Sequence, residues 1–234
     1  MRLPIARKLT IWAFPLLILS APALAFAETG GPVKSMEAAA ILSRMTAAFD
    51  RLEAYHADVE SATYRNGRRV DVHRFRYSFQ KPGRIRIDMK MPNPGMQMIY
   101  PDQGGRVFIR FGGWKDFLTF RLTPDNKRIV AGMGQRFDQT DLGLLIANIG
   151  RSIGAGKKGE LHVLETKDRV VWEVLAQDHF RSGIVTRYRY VIDPALWLPV
   201  TVEEKTPEGE LLRIVQFHNL DTTPVFSKHH FQTN

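Results

Sequence analysis

The chain has 234 residues, 33 Lys and Arg against 24 Asp and Glu, a formal net charge of +9 and no cysteine. That excludes a disulfide framework, a thiol nucleophile and any cysteine-ligated metal site, and the length limits the chain to one large domain or two small ones.

Residues 1–27 read as a secretory signal. Arg2, Arg7 and Lys8 come first without an acid, an apolar run follows from Leu9 to Leu19, and Ala25-Phe26-Ala27 ends the segment in an A-x-A cleavage pattern. The apolar run is too short to span a bilayer, which takes about 20 residues, so the segment is expected to be removed. Losing its three cations lowers the net charge from +9 to +6. Without a cysteine there is no lipid-attachment site at the mature N-terminus, and the expected location is the periplasm, with no lipid anchor and with secretion beyond the outer membrane as the alternative. Residues 28–234 are expected to form one domain.

Residues 34–53 have the spacing of an amphipathic helix, with Ile41, Leu42, Met45, Ala48, Phe49 and Leu52 recurring at steps of three and four. From Asp71 the pattern changes to period two. His73, Phe75, Tyr77 and Phe79 oppose Arg74, Arg76 and Ser78, and Lys81-Pro82-Gly83 turns the chain. Ile85, Ile87, Met89 and Met91 then oppose Arg84, Arg86, Asp88 and Lys90. Pro92-Asn93-Pro94-Gly95 breaks that strand, and short strands are expected at 96–100, 107–111 and 117–122. A second helix is expected over 141–153, where Leu142, Leu145, Ile146, Ile149 and Ile153 form a stripe that Thr140 or Asp141 can cap. Five further strands follow at 161–166, 170–176, 184–192, 198–205 and 211–218, and residues 219–234 are polar without a clear period.

This order, roughly ten strands with one helix before them and one in their middle, excludes a doubly wound nucleotide-binding fold, in which strands alternate with helices. So many short strands must curl, close or split into layers. The expected class is mainly β (α+β), a curled antiparallel sheet with an apolar helix across its concave face, which the family resemblance given below narrows to a single, strongly curved half-barrel covered by helices.

Catalytic signals are weak. None of the seven histidines stands in a helical zinc motif such as H-E-x-x-H. The acid pairs Asp58/Glu60 and Glu203/Glu204 are of a kind common on solvated strands, and no other group converges on them. Gly154-x-Gly156-x-x-Gly159 follows a helix and precedes a strand, the reverse of a pyrophosphate cradle, and no G-x-S-x-G elbow occurs. The expectation is a protein that is not an enzyme, with no cofactor and no metal.

Apolar side chains gathered on one side carry the functional expectation. Met89, Met91, Met96 and Met98 place four adaptable thioethers around one turn, beside aromatic and branched residues on flanking strands. Strand parity selects Phe75, Tyr77, Phe79, Ile85, Ile87, Met89, Met91, Met98, Phe108, Leu118, Phe120, Trp172, Tyr188 and Tyr190 as the lining of an apolar binding cavity. On the opposite faces, Arg74, Arg76, Arg84 and Arg86 form a basic surface suited to transient contact with anionic lipid or to an acidic partner. Export argues against nucleic acid as that partner.

Three segments resemble the LolA/LolB lipoprotein-sorting superfamily: Lys81-Pro82-Gly83-Arg84-Ile85-Arg86-Ile87-Asp88, Tyr190-Val191-Ile192-Asp193-Pro194 followed by Leu198-Pro199-Val200, and Gly209-Glu210-Leu211-Leu212 leading to Val215-Gln216-Phe217. The resemblance implies an unclosed curved sheet whose concave face, lidded by helices, accepts acyl chains. It transfers no individual binding residue, because these segments shape turns and strands. Together with the apolar stripes it implies a periplasmic carrier or sensor of lipid or lipoprotein acyl chains. The alternative is an assembly module that docks an envelope complex through the basic face.

Overall fold

The computed structural model describes residues 38–129, 135–155, 161–165 and 168–233, so the signal segment and the G-x-G-x-x-G letters lie wholly or partly outside the described residues. The first helix, α1, covers Ala38–Asp50 and buries Ile41, Met45 and Ala48, three members of the expected stripe. Among the described residues eleven strands follow in chain order: β1 (Ala54–Arg65), β2 (Arg68–Gln80), β3 (Arg84–Met91), β4 (Gln97–Tyr100), β5 (Val107–Arg110) and β6 (Thr119–Leu122) precede helix α2 (Leu142–Ala155), and β7 (Leu161–Glu165), β8 (Val170–Gln177), β9 (Val185–Asp193), β10 (Leu198–Lys205) and β11 (Leu211–Asp221) come after it.

All eleven strands belong to one antiparallel sheet in the order β6-β5-β4-β3-β2-β1-β11-β10-β9-β8-β7, open between its edges β6 and β7. The sheet is a curved half-barrel, as expected from the sequence. Its centre is the long strand β1, which the period-two reading passed over because Ala54–Arg65 mixes small, polar and aromatic residues. β1 pairs with β2 over its whole length and with β11 from His56 to Thr63. The sheet is therefore two meanders joined at β1 and β11, and the chain must travel from one edge, β6, to the other, β7. Residues 123–160 make that crossing, and α2 lies within it.

The helices close one part of the concave face. Asp141 caps α2, its Oδ1 accepting the Leu144 N–H at 3.0 Å, and the Tyr55 hydroxyl accepts the Leu142 N–H at 2.9 Å from the central strand. Tyr77 and Thr140 hydrogen-bond at 3.1 Å, tying the same end of α2 to β2. Where α1 crosses α2 there is no room for a side chain at Gly143: a Cβ there would lie 2.2 Å from Phe49 Cε1. A second close approach holds the turns of the β3–β5 region together, since a Cβ on Gly112 would meet the Gly95 carbonyl carbon at 2.6 Å.

On the convex face, charged side chains pair across strands. Glu60 binds Arg69 and Arg74, Asp58 binds Arg76 and Lys90, and Arg86 holds Asp88 with two bonds of 2.8 Å. The polar C-terminal stretch is docked here. Phe226 stacks on His230 at 4.4 Å, its ring is tilted against His56, and Arg86 donates to the His230 carbonyl at 2.8 Å.

Candidate functional site

A cavity of about 660 Å³ opens on the concave face. Its floor comes from β1 to β6 with β10 and β11, and its cover from Ile129, Gln135, Phe137 and Thr140 of the crossing segment, with Leu145 of α2. The expectation placed the cavity under the helices; the structure places it mainly under the crossing segment beside them. The reason is topological: among the described residues, the segment that links the edges β6 and β7 supplies Ile129, Gln135, Phe137 and Thr140 over this half of the sheet.

Six of the expected lining residues, Phe75, Tyr77, Ile87, Met89, Met98 and Phe120, border this cavity. They meet by register: Phe75 is opposite Met89, Tyr77 opposite Ile87, Ile87 opposite Met98, Met98 opposite Ile109 and Ile109 opposite Phe120. Met96 joins them from the turn before β4. The other eight lie elsewhere. Phe79 and Ile85 face the helices at the far end, and Trp172, Tyr188 and Tyr190 are fully buried core of the β8–β9 half, against which α2 packs. Phe108 is a correction of parity: it stands opposite Ile99 and under the Arg121 guanidinium, on the face away from Met98 and Ile109. Met91 is displaced by a register shift at Arg74/Phe75, which sets it opposite Arg74 rather than on the Met89 face. Leu118 precedes β6 and stays at the surface, in a turn that also exposes Trp114 (80%) and Phe117 (70%).

The four arginines of the expected basic surface all lie on the convex side. Arg74, Arg76 and Arg86 are engaged by Glu60, Asp58 and Asp88, and Arg84 is exposed. Their charge is largely matched by neighbouring acids, a feature invisible until β1 is paired with β2.

One end of the cavity is polar, and parity reasoning missed it. Along a single row across the sheet, Asp71 of β2 is opposite Thr63 of β1, Thr63 opposite Arg213 of β11, Arg213 opposite Glu204 of β10, and Glu204 opposite Tyr188 of β9. One register step inward the row becomes His73, Ser61, Val215, Val202 and Tyr190, and beyond it the floor is apolar. The signal was present in the sequence: Arg213 and Glu204 occupy inward positions of strands whose other inward residues are Val215, Phe217 and Val202. A broken binary pattern of this kind marks a functional or strained site.

The side chains of Glu204 and Arg213 are 7% and 11% exposed, and Arg213 Nη1 meets Glu204 Oε1 at 3.4 Å. Arg213 Nε reaches the Ser61 hydroxyl at 3.4 Å. Burial pushes the Glu204 carboxyl up, and the charge of Arg213 opposes this only in part. His179 stacks on Tyr188 at 4.3 Å, with Nε2 3.3 Å from the Tyr190 hydroxyl. Burial holds its imidazole down at about 4, so the ring is neutral at pH 7. Asp178 lies next to it. Burial raises this carboxyl, but the Arg181 guanidinium at 2.8 Å, the Phe180 and Arg181 N–H groups and the Thr186 hydroxyl outweigh that and keep it below the usual range. At the open end Asp71 and His73 form an exposed pair at 3.0 Å. The cavity thus has a thioether and aromatic floor and a rim of paired charges. Among the described residues no group of three or more His, Asp or Glu is placed to hold a metal ion.

Neither a family model nor a curated protein matches the chain. Solved structures do. MucB aligns with a TM-score of 0.50 at 19% identity over 86% of this chain and 64% of MucB, so the chain spans under two thirds of that protein's length. A complex of Pseudomonas aeruginosa MucA and MucB aligns at 0.46 and 19% identity, covering 83% of this chain and 60% of the other. A LolA superfamily protein from Nitrosomonas europaea aligns at 0.39 and 11% identity, covering 85% and 99%. At these identities the likeness concerns the fold alone, one shared with MucB.

Proposed function

We propose that the protein binds an apolar, acylated ligand, a lipid or the acyl chains of a lipoprotein, in the concave cavity and carries or senses it in the periplasm without chemical change. The observation that carries this reading is the cavity itself. At about 660 Å³ it falls within the roughly 300–1,000 Å³ typical of small-molecule sites, and its floor is methionine and aromatic side chain on one continuous face. Each methylene buried there contributes about 0.8 kcal/mol, so a chain of about ten methylenes supplies roughly 8 kcal/mol before ordering costs. Thioethers suit such a floor because unbranched side chains repack around chains of different length.

The reading that the convex arginines dock an envelope complex has less support, because three of the four are matched by acids of the same chain. Native mass spectrometry of the protein purified from periplasm tests the cavity reading. The expected result is a lipid adduct extractable into chloroform. Met98→Asp, at a half-exposed position of the cavity wall, should abolish the adduct while the protein stays folded. A clean apo mass in the wild type, with no extractable lipid, would sink the reading.

A further inference from the structure

Buried arginine and glutamate are uncommon in a core, and in this protein they stand where the strand pattern calls for apolar residues. Stability does not demand them, since well-packed apolar residues in place of a buried ion pair are often neutral or stabilising. Their mutual bond is also poor: both distances from Arg213, to Glu204 and to Ser61, are 3.4 Å, beyond the usual range of about 2.7–3.2 Å, so the guanidinium fork and the carboxylate keep unused bonding capacity. Both side chains border the cavity, as do Ser61, Thr63 and His179.

We infer that this polar end is a head-group subsite, in which Arg213, Glu204 and the Ser61 and Thr63 hydroxyls take the neutral, hydroxyl-bearing head, of glycerol or sugar type, of an acylated ligand. The inference rests on the cavity reading above and adds the class of ligand. Charge selects the neutral head. Among the residues of the sheet that line this end, the one guanidinium, Arg213, has Glu204 beside it, and Asp71 is bonded to His73. An anionic head would meet the Asp71 and Glu204 carboxyl groups, and a cationic one would meet the Arg213 guanidinium. A hydroxyl both donates and accepts, so a diol can accept from Arg213 while donating to Glu204, and the Ser61 and Thr63 hydroxyls serve either role. The arrangement along the sheet agrees: the exposed Asp71/His73 pair puts the polar end toward solvent, and the methionine floor lies further in.

The test uses two probes with the same acyl chain, 1-monomyristoylglycerol and methyl myristate, each displacing the fluorescent apolar dye N-phenyl-1-naphthylamine from the purified protein. Wild type should bind the monoacylglycerol about tenfold more tightly, as two added hydrogen bonds would give. Glu204→Leu/Arg213→Met should lose the preference, binding the two probes alike. Ser61→Ala/Thr63→Val keeps the ion pair and should weaken the monoacylglycerol alone, which decides the matter if the first variant fails to fold. Equal binding of the two probes by wild type, a preference that survives both variants, or tighter binding of free myristate than of monomyristoylglycerol would overturn the subsite while leaving the cavity reading intact. If neither probe displaces the dye, the cavity reading falls and the subsite with it.

Discussion

The crossing of α1 and α2 at Gly143 offers a sharp test, because a single methyl group should strain it. Gly143→Ala would put a Cβ 2.2, 2.5 and 2.8 Å from Phe49 Cε1, Cζ and Cδ1. Carbon atoms rest at about 3.5–4.0 Å, so the ring or the helix must withdraw by roughly 1 Å. The ring is not free to leave. It packs at 5.9 Å against Phe79, and the Lys81 ammonium lies 5.3 Å above it. Alanine in place of a helical glycine gains about 0.5–1 kcal/mol, whereas overpacking costs about 1–3 kcal/mol, so a net loss of about 0.5–2 kcal/mol is expected. Urea unfolding with an unchanged m-value is the assay. Phe49→Leu should relieve the clash, making Gly143→Ala/Phe49→Leu more stable than the sum of the single changes by about 1 kcal/mol. Since α2 carries Leu145 into the cavity wall, Gly143→Ala should also weaken dye binding. A Gly143→Ala protein as stable as wild type would refute the close crossing.

Two further outcomes concern the ends of the molecule. Because burial holds His179 at about 4, against an ordinary value of 6.5, the unfolded chain takes up a proton between those values that the folded one refuses. Its contribution is therefore complete above about pH 6.5 and is lost as pH falls toward 4, by at most about 3 kcal/mol. His179→Phe, which keeps the stack on Tyr188, should flatten that part of the stability profile, and an unchanged slope would count against the burial argument. Arg86→Ala removes the donor to the His230 carbonyl, so the stretch from 222 onward should loosen. Trypsin should then cut at the exposed Lys228 faster, with a loss of global stability under about 1 kcal/mol, and equal cleavage rates would contradict the docking.

Much of the fold was legible because local periodicity carries it. The stripes of α1 and α2, the turn at Lys81-Pro82-Gly83 and the alternation of β2 and β3 follow from side chains a few residues apart, and the number of strands requires the sheet to curl, close or split. The candidate site was legible in part. Alternation says which residues of a strand share a face, so Phe75, Tyr77, Ile87 and Met89 came out together. It does not say what covers that face, which is why Trp172 and Tyr190, of correct parity, belong to the closed core rather than to the cavity.

Registers between distant strands were decided by the tertiary structure alone. The shift at Arg74/Phe75 moves Met91 off the Met89 face, and the pairing of β1 with β11 sets Thr63 beside Arg213, 150 positions away in sequence. That pairing turns four scattered polar residues into one row at the end of an apolar cavity. By itself the sequence determined the periodicities, the two helices and a zero count of cysteines. Which of its inward faces stayed open, and that one end of the open face is polar, depended on long-range strand pairing, because hydrogen bonds between strands carry no local signature in the chain.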